Sequence, residues 1–146
     1  MIGRLTLGES IPVIPDLFSI TLVLNPGAAF GLFSDWPERT RTIALAAVSI
    51  VALVIVLRLL IVEAKGDRYS HIALVSILAG AIGNVIDRTR LGAVIDFLDF
   101  YWGSYHWPAF NVADSAISLG VVTLLLRMVG TKKAEQDDYT GGEAYE

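Results

Sequence analysis

A bundle of membrane-spanning helices carrying a small extracytoplasmic β element is the fold this sequence predicts, and three observations predict it. Residues 43–62 (IALAAVSIVALVIVLRLLIV) are twenty residues interrupted by one charge, Arg58, the length a helix needs to cross roughly 30 Å of hydrocarbon. Two further apolar stretches follow, at about 71–88 and about 115–129. With 146 residues, 54% of them hydrophobic, and a mean hydropathy of +0.60, the chain is too apolar for an ordinary soluble domain of this length.

Taken in order, the amino-terminal MIGRLTLGES has neither an apolar core nor a small-residue cleavage site, so no ordinary signal peptide is expected. The first ordered segment is 11–25, where Phe18, Ile20, Leu22 and Leu24 alternate with Ser19, Thr21 and Val23 in the period of a strand. Asn25-Pro26-Gly27 then ends it. Proline at the first central position and glycine at the second predict a type II turn. Ala28 and Ala29 lead into Phe30, Leu32, Phe33 and Trp36, a cluster suited to the headgroup level, which places this region on the membrane surface. Its aromatics Phe30, Phe33 and Trp36 are read as anchors, with part of a flap as the rarer role.

The first span is followed by EAKGDR (63–68), a short loop in which Gly66 can end the helix. In the second span Ala79, Gly80 and Gly83 allow close approach of a neighbouring helix, and Gly80, Asn84 and Asp87 share a face. Residues 88–113 read as an aromatic-rich loop. Asp114 or Ser115 can cap the third span. Residues 1–130 thus form one membrane domain, and 131–146 a polar, disordered cytoplasmic tail. Arg58, Lys65 and Arg68, with Arg127, Lys132 and Lys133, mark the cytoplasmic side, although Arg39, Arg41, Arg88 and Arg90 pull the other way.

Charge and composition exclude several functions. The chain has 11 basic and 15 acidic residues, a net charge of −4, and no basic surface for nucleic acid. It has no cysteine, so disulfides, thiol nucleophiles and cysteine-held metals are ruled out. His71 and His106 lack companions at metal-ligand spacing, so no metal and no cofactor are predicted. What remains is acid chemistry. Asp96 in GAVIDFLDF and Asp114 in FNVADSAI flank the last outward segment, where carboxylates are costly to desolvate and demand a functional reason. Taken singly, Asp114 reads as a helix cap and Asp96 as an interfacial acid paired with Arg88 or Arg90. Asp99, one helical turn from Asp96, competes for its role.

Four blocks, NPGAAFGLF (25–33), AGAIGNVIDR (79–88), LGAVIDFLDF (91–100) and PAFNVADSAI (108–117), resemble those of lipoprotein signal peptidase, also called signal peptidase II, in the same order along the chain. The resemblance covers most of residues 10–130. It implies a four-helix aspartic endopeptidase of the bacterial inner membrane, inhibited by globomycin, with its active site near the extracytoplasmic face. Such an enzyme cuts diacylglyceryl-modified prolipoproteins on the amino-terminal side of the lipid-bearing cysteine. The implied partners are that substrate and membrane lipid, with the chain monomeric. The catalytic pair falls on Asp96 and Asp114. Asn25, Asn84, Asp87, Arg88 and Asn111 match polar positions that bind substrate or orient the pair, each with a structural alternative as a turn starter, an interhelical bond, a helix-end anchor or a cap. The family's first membrane helix, with its Asp-x-x-x-Lys-like motif, has no counterpart ahead of LTLGESIPVIP, and a late start is the favoured explanation.

Two other functions compete. One is a catalytically inactive family member that only binds lipopeptide or membrane partners. The other is a proton-coupled transporter subunit with Asp87, Asp96 and Asp114 as a relay, which the clustering of these acids near one face opposes.

Overall fold

The computed structural model describes residues 5–28, 32–62 and 67–142, with side chains to residue 130. Three helices, α1 (Glu38–Val62), α2 (Arg68–Leu91) and α3 (Val112–Gly142), carry a sheet of four strands, β1 (Ser10–Ile14), β2 (Phe18–Asn25), β3 (Val94–Trp102) and β4 (Tyr105–His106). All three helices are long and apolar enough to cross a membrane, over Glu38–Val62, Arg68–Leu91 and Val112–Gly130. α2 is central and packs on both neighbours, much more tightly on α3 than on α1.

The close contact of α2 and α3 rests on two glycines. A Cβ at Gly80 would stand 2.5 Å from the Ala113 carbonyl oxygen, and one at Gly120 would stand 2.7 Å from that of Ala73. Each helix therefore presses backbone against backbone on the other, the arrangement small residues permit where lipid supplies no hydrophobic drive. Gly83 lies in ordinary contact with Ala113, whereas Ala79 is exposed and takes no part. At the end away from the sheet, Arg127 Nε donates to Asp67 Oδ2 at 3.0 Å, so the start of α2 and the end of the third span share one side, as the positions of their charges predict. Asp67 also caps α2 through the Tyr69 N–H. Lys65 and Gly66, and with them the predicted glycine stop after α1, lie outside the described residues, as do Ala29 and Phe30.

The sheet is antiparallel in the order β1-β2-β3-β4. Several expectations change here. Residues 94–102 form a strand where a loop was predicted, with β3 registered along the whole of β2. The predicted 11–25 strand divides in two at Pro15-Asp16. Asp16 adopts φ 61 and the Leu17 N–H donates to the Ile14 carbonyl, so the proline-led turn with positive φ sits here. At Pro26-Gly27, Gly27 is not left-handed. The Asn25 side chain makes the turn instead, its Oδ1 accepting from the Gly27 N–H at 3.0 Å. α3 starts at Val112, ahead of the expected cap, and its backbone stays helical through Gly142, where lysine, alanine, glutamate and glutamine prolong a helix already formed.

A bulge in β2 decides which residues reach the site. Ile20 pairs with Leu98, but Val23 pairs with Asp96, so β2 advances three residues while β3 advances two. The extra residue reverses the alternation. Phe18, Ile20, Val23 and Asn25 then share a face with Asp96, Leu98 and Phe100, whereas plain alternation would put Asn25 on the opposite face. Aromatic stacking continues this face from Phe18 to Phe100 (4.8 Å between ring centroids) and on to Phe110 (5.9 Å).

Gly80→Ala forces the α2–α3 contact apart and is expected to lower stability by about 1–3 kcal/mol despite alanine's better helix propensity. Gly130→Ala, with open space around it, is expected to be neutral or stabilising by up to about 1 kcal/mol. Thermal unfolding of both variants in detergent checks this; equal midpoints would contradict the packing argument.

Candidate active site

The site forms where the end of β2, the start of β3, the last turns of α2 and the first turn of α3 meet. Asp96 is 3% exposed. Its Oδ2 accepts from Asn25 Nδ2 at 3.1 Å and its Oδ1 from Asn111 Nδ2 at 3.0 Å. Asp114 Oδ1 accepts from Asn84 Nδ2 at 2.7 Å, and its Oδ2 from the Asn111 backbone N–H at 3.2 Å. Asn111 Nδ2 also donates to Asn84 Oδ1 at 3.2 Å. A continuous chain of amides, Asn111 to Asn84, therefore ties one carboxylate to the other.

Asn111 takes the cap role that the sequence offers to Asp114 or Ser115 and, as its structural alternative, to Asn111 itself. Its Oδ1 accepts from the Asp114 N–H at 3.0 Å while Asp114 returns a bond to the Asn111 N–H, a reciprocal capping box with aspartate at the third helical position. Asp114 is left in the first turn of α3, where the helix dipole favours negative charge. Arg88 Nη2 donates to the Gly27 carbonyl at 3.0 Å, holding the turn after β2 against α2. Asp87 Oδ2 accepts from the Ile95 N–H at 3.3 Å, so it anchors the strand one residue from Asp96. All seven residues singled out from the sequence thus fall in one cluster, with Asp87 at its edge.

Burial is the main cause that raises the Asp96 carboxyl above the ordinary aspartate range, and the Asp114 charge adds to it. The bonds from Asn25 and Asn111 and the Arg88 charge act in the opposite direction.

Asp99 does not join the cluster. Three residues along a strand is half a period out, so it faces away from Asp96, beside Ser19, and binds His106 Nδ1 at 2.9 Å. The competition with Asp96 arose from assuming a helix. Phe33 and Trp36 pack edge to face at 4.7 Å, and neither lines the groove beside the carboxylates. Among the described residues, no group of three or more His, Cys, Asp or Glu could hold a metal ion.

Beside the carboxylates lies an open, mainly apolar groove of about 650 Å³. Asn25, Arg88, Asp96 and Asp114 line one part of it, Trp107 to Phe110 another, and Ile117 to Leu119 of α3 a third. The Trp107–Phe110 wall was not singled out in the sequence. Its one legible signal was the PAF of PAFNVADSAI, whose Phe110 carbonyl accepts from both Phe97 and Leu98 N–H groups and seals the β3 edge.

The sequence family described as Signal peptidase (SPase) II matches residues 1–130. The lipoprotein signal peptidase of Syntrophus aciditrophicus (strain SB) is 48% identical over 127 residues, 87% of this chain and 79% of its own length. That of Geobacter metallireducens is 48% identical over 135 residues, covering 92% and 82%. A solved structure, described as a bacterial membrane enzyme determined by the in meso method at 2.3 Å resolution, superposes with a TM-score of 0.78 at 31% identity, over 87% of this chain and 74% of that one. With the family matched over nearly the whole membrane domain and relatives at this identity, the chain belongs to the signal peptidase II family of bacterial membrane peptidases.

Proposed function

We propose that the protein is an aspartic endopeptidase that removes signal peptides from diacylglyceryl-modified prolipoproteins, with Asp96 and Asp114 as its catalytic pair. The observation that carries this reading is the amide chain that holds two carboxylates, one buried and one at a helix start, on the wall of a single groove. Burial favours the protonated form of Asp96, and the capped helix start suits a charge on Asp114, so we assign Asp96 as the acid and Asp114 as the base.

Hydrolysis then needs no covalent intermediate. Asp114 takes a proton from a water as that water attacks the scissile carbonyl carbon, and Asp96 gives its proton to the carbonyl oxygen. Collapse of the tetrahedral adduct breaks the C–N bond, with a proton passed from Asp114 to the leaving amine, and the new carboxyl returns a proton to Asp96. Asn25 and Asn111 hold Asp96 in place, while Asn84 and the α3 cap hold Asp114. Asp87 and Arg88 act on the backbone around them, at Ile95 and Gly27. The substrate's lipid keeps the scissile bond at the interface and lowers the entropy of alignment. The setting for this work is the bacterial inner membrane, with the sheet and groove on the extracytoplasmic side.

Cleavage of a diacylglyceryl-modified prolipoprotein in reconstituted vesicles tests the assignment. Asp96→Asn and Asp114→Asn are each expected to reduce kcat by at least about 10²-fold while inserting normally. Asp99→Asn is expected to retain most activity, because Asp99 faces away from the groove; normal turnover by Asp96→Asn, or loss only in Asp99→Asn, would sink the assignment.

The pH profile supplies a second test. Activity requires the proton on Asp96, so it is lost as pH rises through that group's raised pKa. Asn25 stabilises the charged form of Asp96 and holds the pKa down. Asn25→Ala removes that bond, so the alkaline limb of kcat/KM is expected to move to higher pH. A limb that stays put or moves to lower pH contradicts the role given to Asp96.

A further inference from the structure

A second cavity, of about 270 Å³, lies between α1 and α2, and Arg88 lines both it and the carboxylate groove. Its α1 wall is a stripe of Thr42, Leu45, Ser49 and Leu53, facing Val85 and Arg88 on α2. From Thr42 to Leu53 the stripe descends about 16 Å along the helix at 1.5 Å per residue. Pro26 and Gly92 lie at its head, the first next to the Asn25 that holds Asp96 and the second just after α2. The cavity thus shares Arg88 with the carboxylate groove and runs down α1 into the membrane-spanning region, mainly apolar and walled by two helices.

We propose that this cavity takes one acyl chain of the lipid-modified substrate, an inference that rests on the function proposed above. Its course explains the choice of occupant. A chain esterified close to the scissile bond has its head at the carboxylates and its tail in the bilayer, and the cavity joins those two places through Arg88. A phospholipid has its esters at the same depth, so what favours the substrate's chain is its covalent link to the peptide held at the carboxylates. A chain that leaves lipid for a protein wall gains no hydrophobic energy, since lipid tails are as apolar as leucine. The cavity therefore works through alignment: it limits where the ester, and with it the peptide bond, can sit. Selectivity for long chains over short ones follows.

The test compares two peptides in vesicles, one carrying S-dipalmitoylglyceryl-cysteine and one S-dibutyrylglyceryl-cysteine. Ser49→Phe fills the stripe and is expected to reduce the dipalmitoyl-over-dibutyryl preference in kcat/KM by roughly 10-fold. Val48→Phe, at an exposed position of α1 outside the cavity lining, is expected to leave the preference unchanged. A diazirine at the end of the palmitoyl chain should label wild-type residues 45–53 along the stripe, a readout that does not depend on how Ser49→Phe folds. An unchanged preference in a folded Ser49→Phe variant would overturn the proposal, as would label spread around α1. So would labelling of the stripe by a diazirine phospholipid while substrate is present, since bulk lipid would then be the occupant. Wild type that cuts both peptides with no preference overturns the cavity's role alone, whereas wild type that cuts neither overturns the proposed function and the cavity with it.

Discussion

Asn111 is 4% exposed, and its side chain is bonded in several directions at once. Its Nδ2 reaches Asp96 and Asn84, its Oδ1 receives the Asp114 N–H, and its own N–H goes to Asp114. One residue therefore starts α3, positions one carboxylate and links the other through Asn84. A buried amide with both ends engaged has a fixed orientation, because turning it over would set donors against donors and leave buried polar groups unpaired. The geometry of the pair inherits that rigidity.

The rest of the fold maintains this joint. Asn84 can meet Asp114 only because α2 and α3 approach to backbone contact at Gly80 and Gly120. Asn25 reaches Asp96 only because the β2 bulge turns it to the site's face. Asp87 and Arg88, neighbours on the last turns of α2, fasten the sheet to the bundle by binding the β3 backbone on one side and the turn after β2 on the other. Gly92, at φ 72, ends α2 by donating to the Arg88 carbonyl and lets the chain turn into β3 within two residues.

Much of this was legible in the sequence, and the gaps have physical causes. The spans stand out because lipid demands about twenty apolar residues in a row. The five polar residues around Asp96 and Asp114 were identified through family blocks, since no periodicity marks a site drawn from four elements. β3 was missed because its residues are apolar on both faces, and acids three apart, at 96 and 99, mimic a helical face while pointing oppositely on a strand. The bulge was invisible because nothing local in Thr21-Leu22 announces it; it follows from pairing with β3, far along the chain. The turn chemistry was recognised but placed at Pro26-Gly27 instead of Pro15-Asp16, because glycine is the stronger signal for positive φ and the asparagine side chain had already satisfied the later turn.

The account stands most directly on a proton shared unequally by the two aspartates. Infrared difference spectroscopy of the protein in vesicles near neutral pH reads protonated carboxyl groups by their carbonyl stretch. The account predicts one such band in the wild type that disappears in Asp96→Asn and persists in Asp99→Asn. A wild type without the band, or a band that survives in Asp96→Asn, would contradict it.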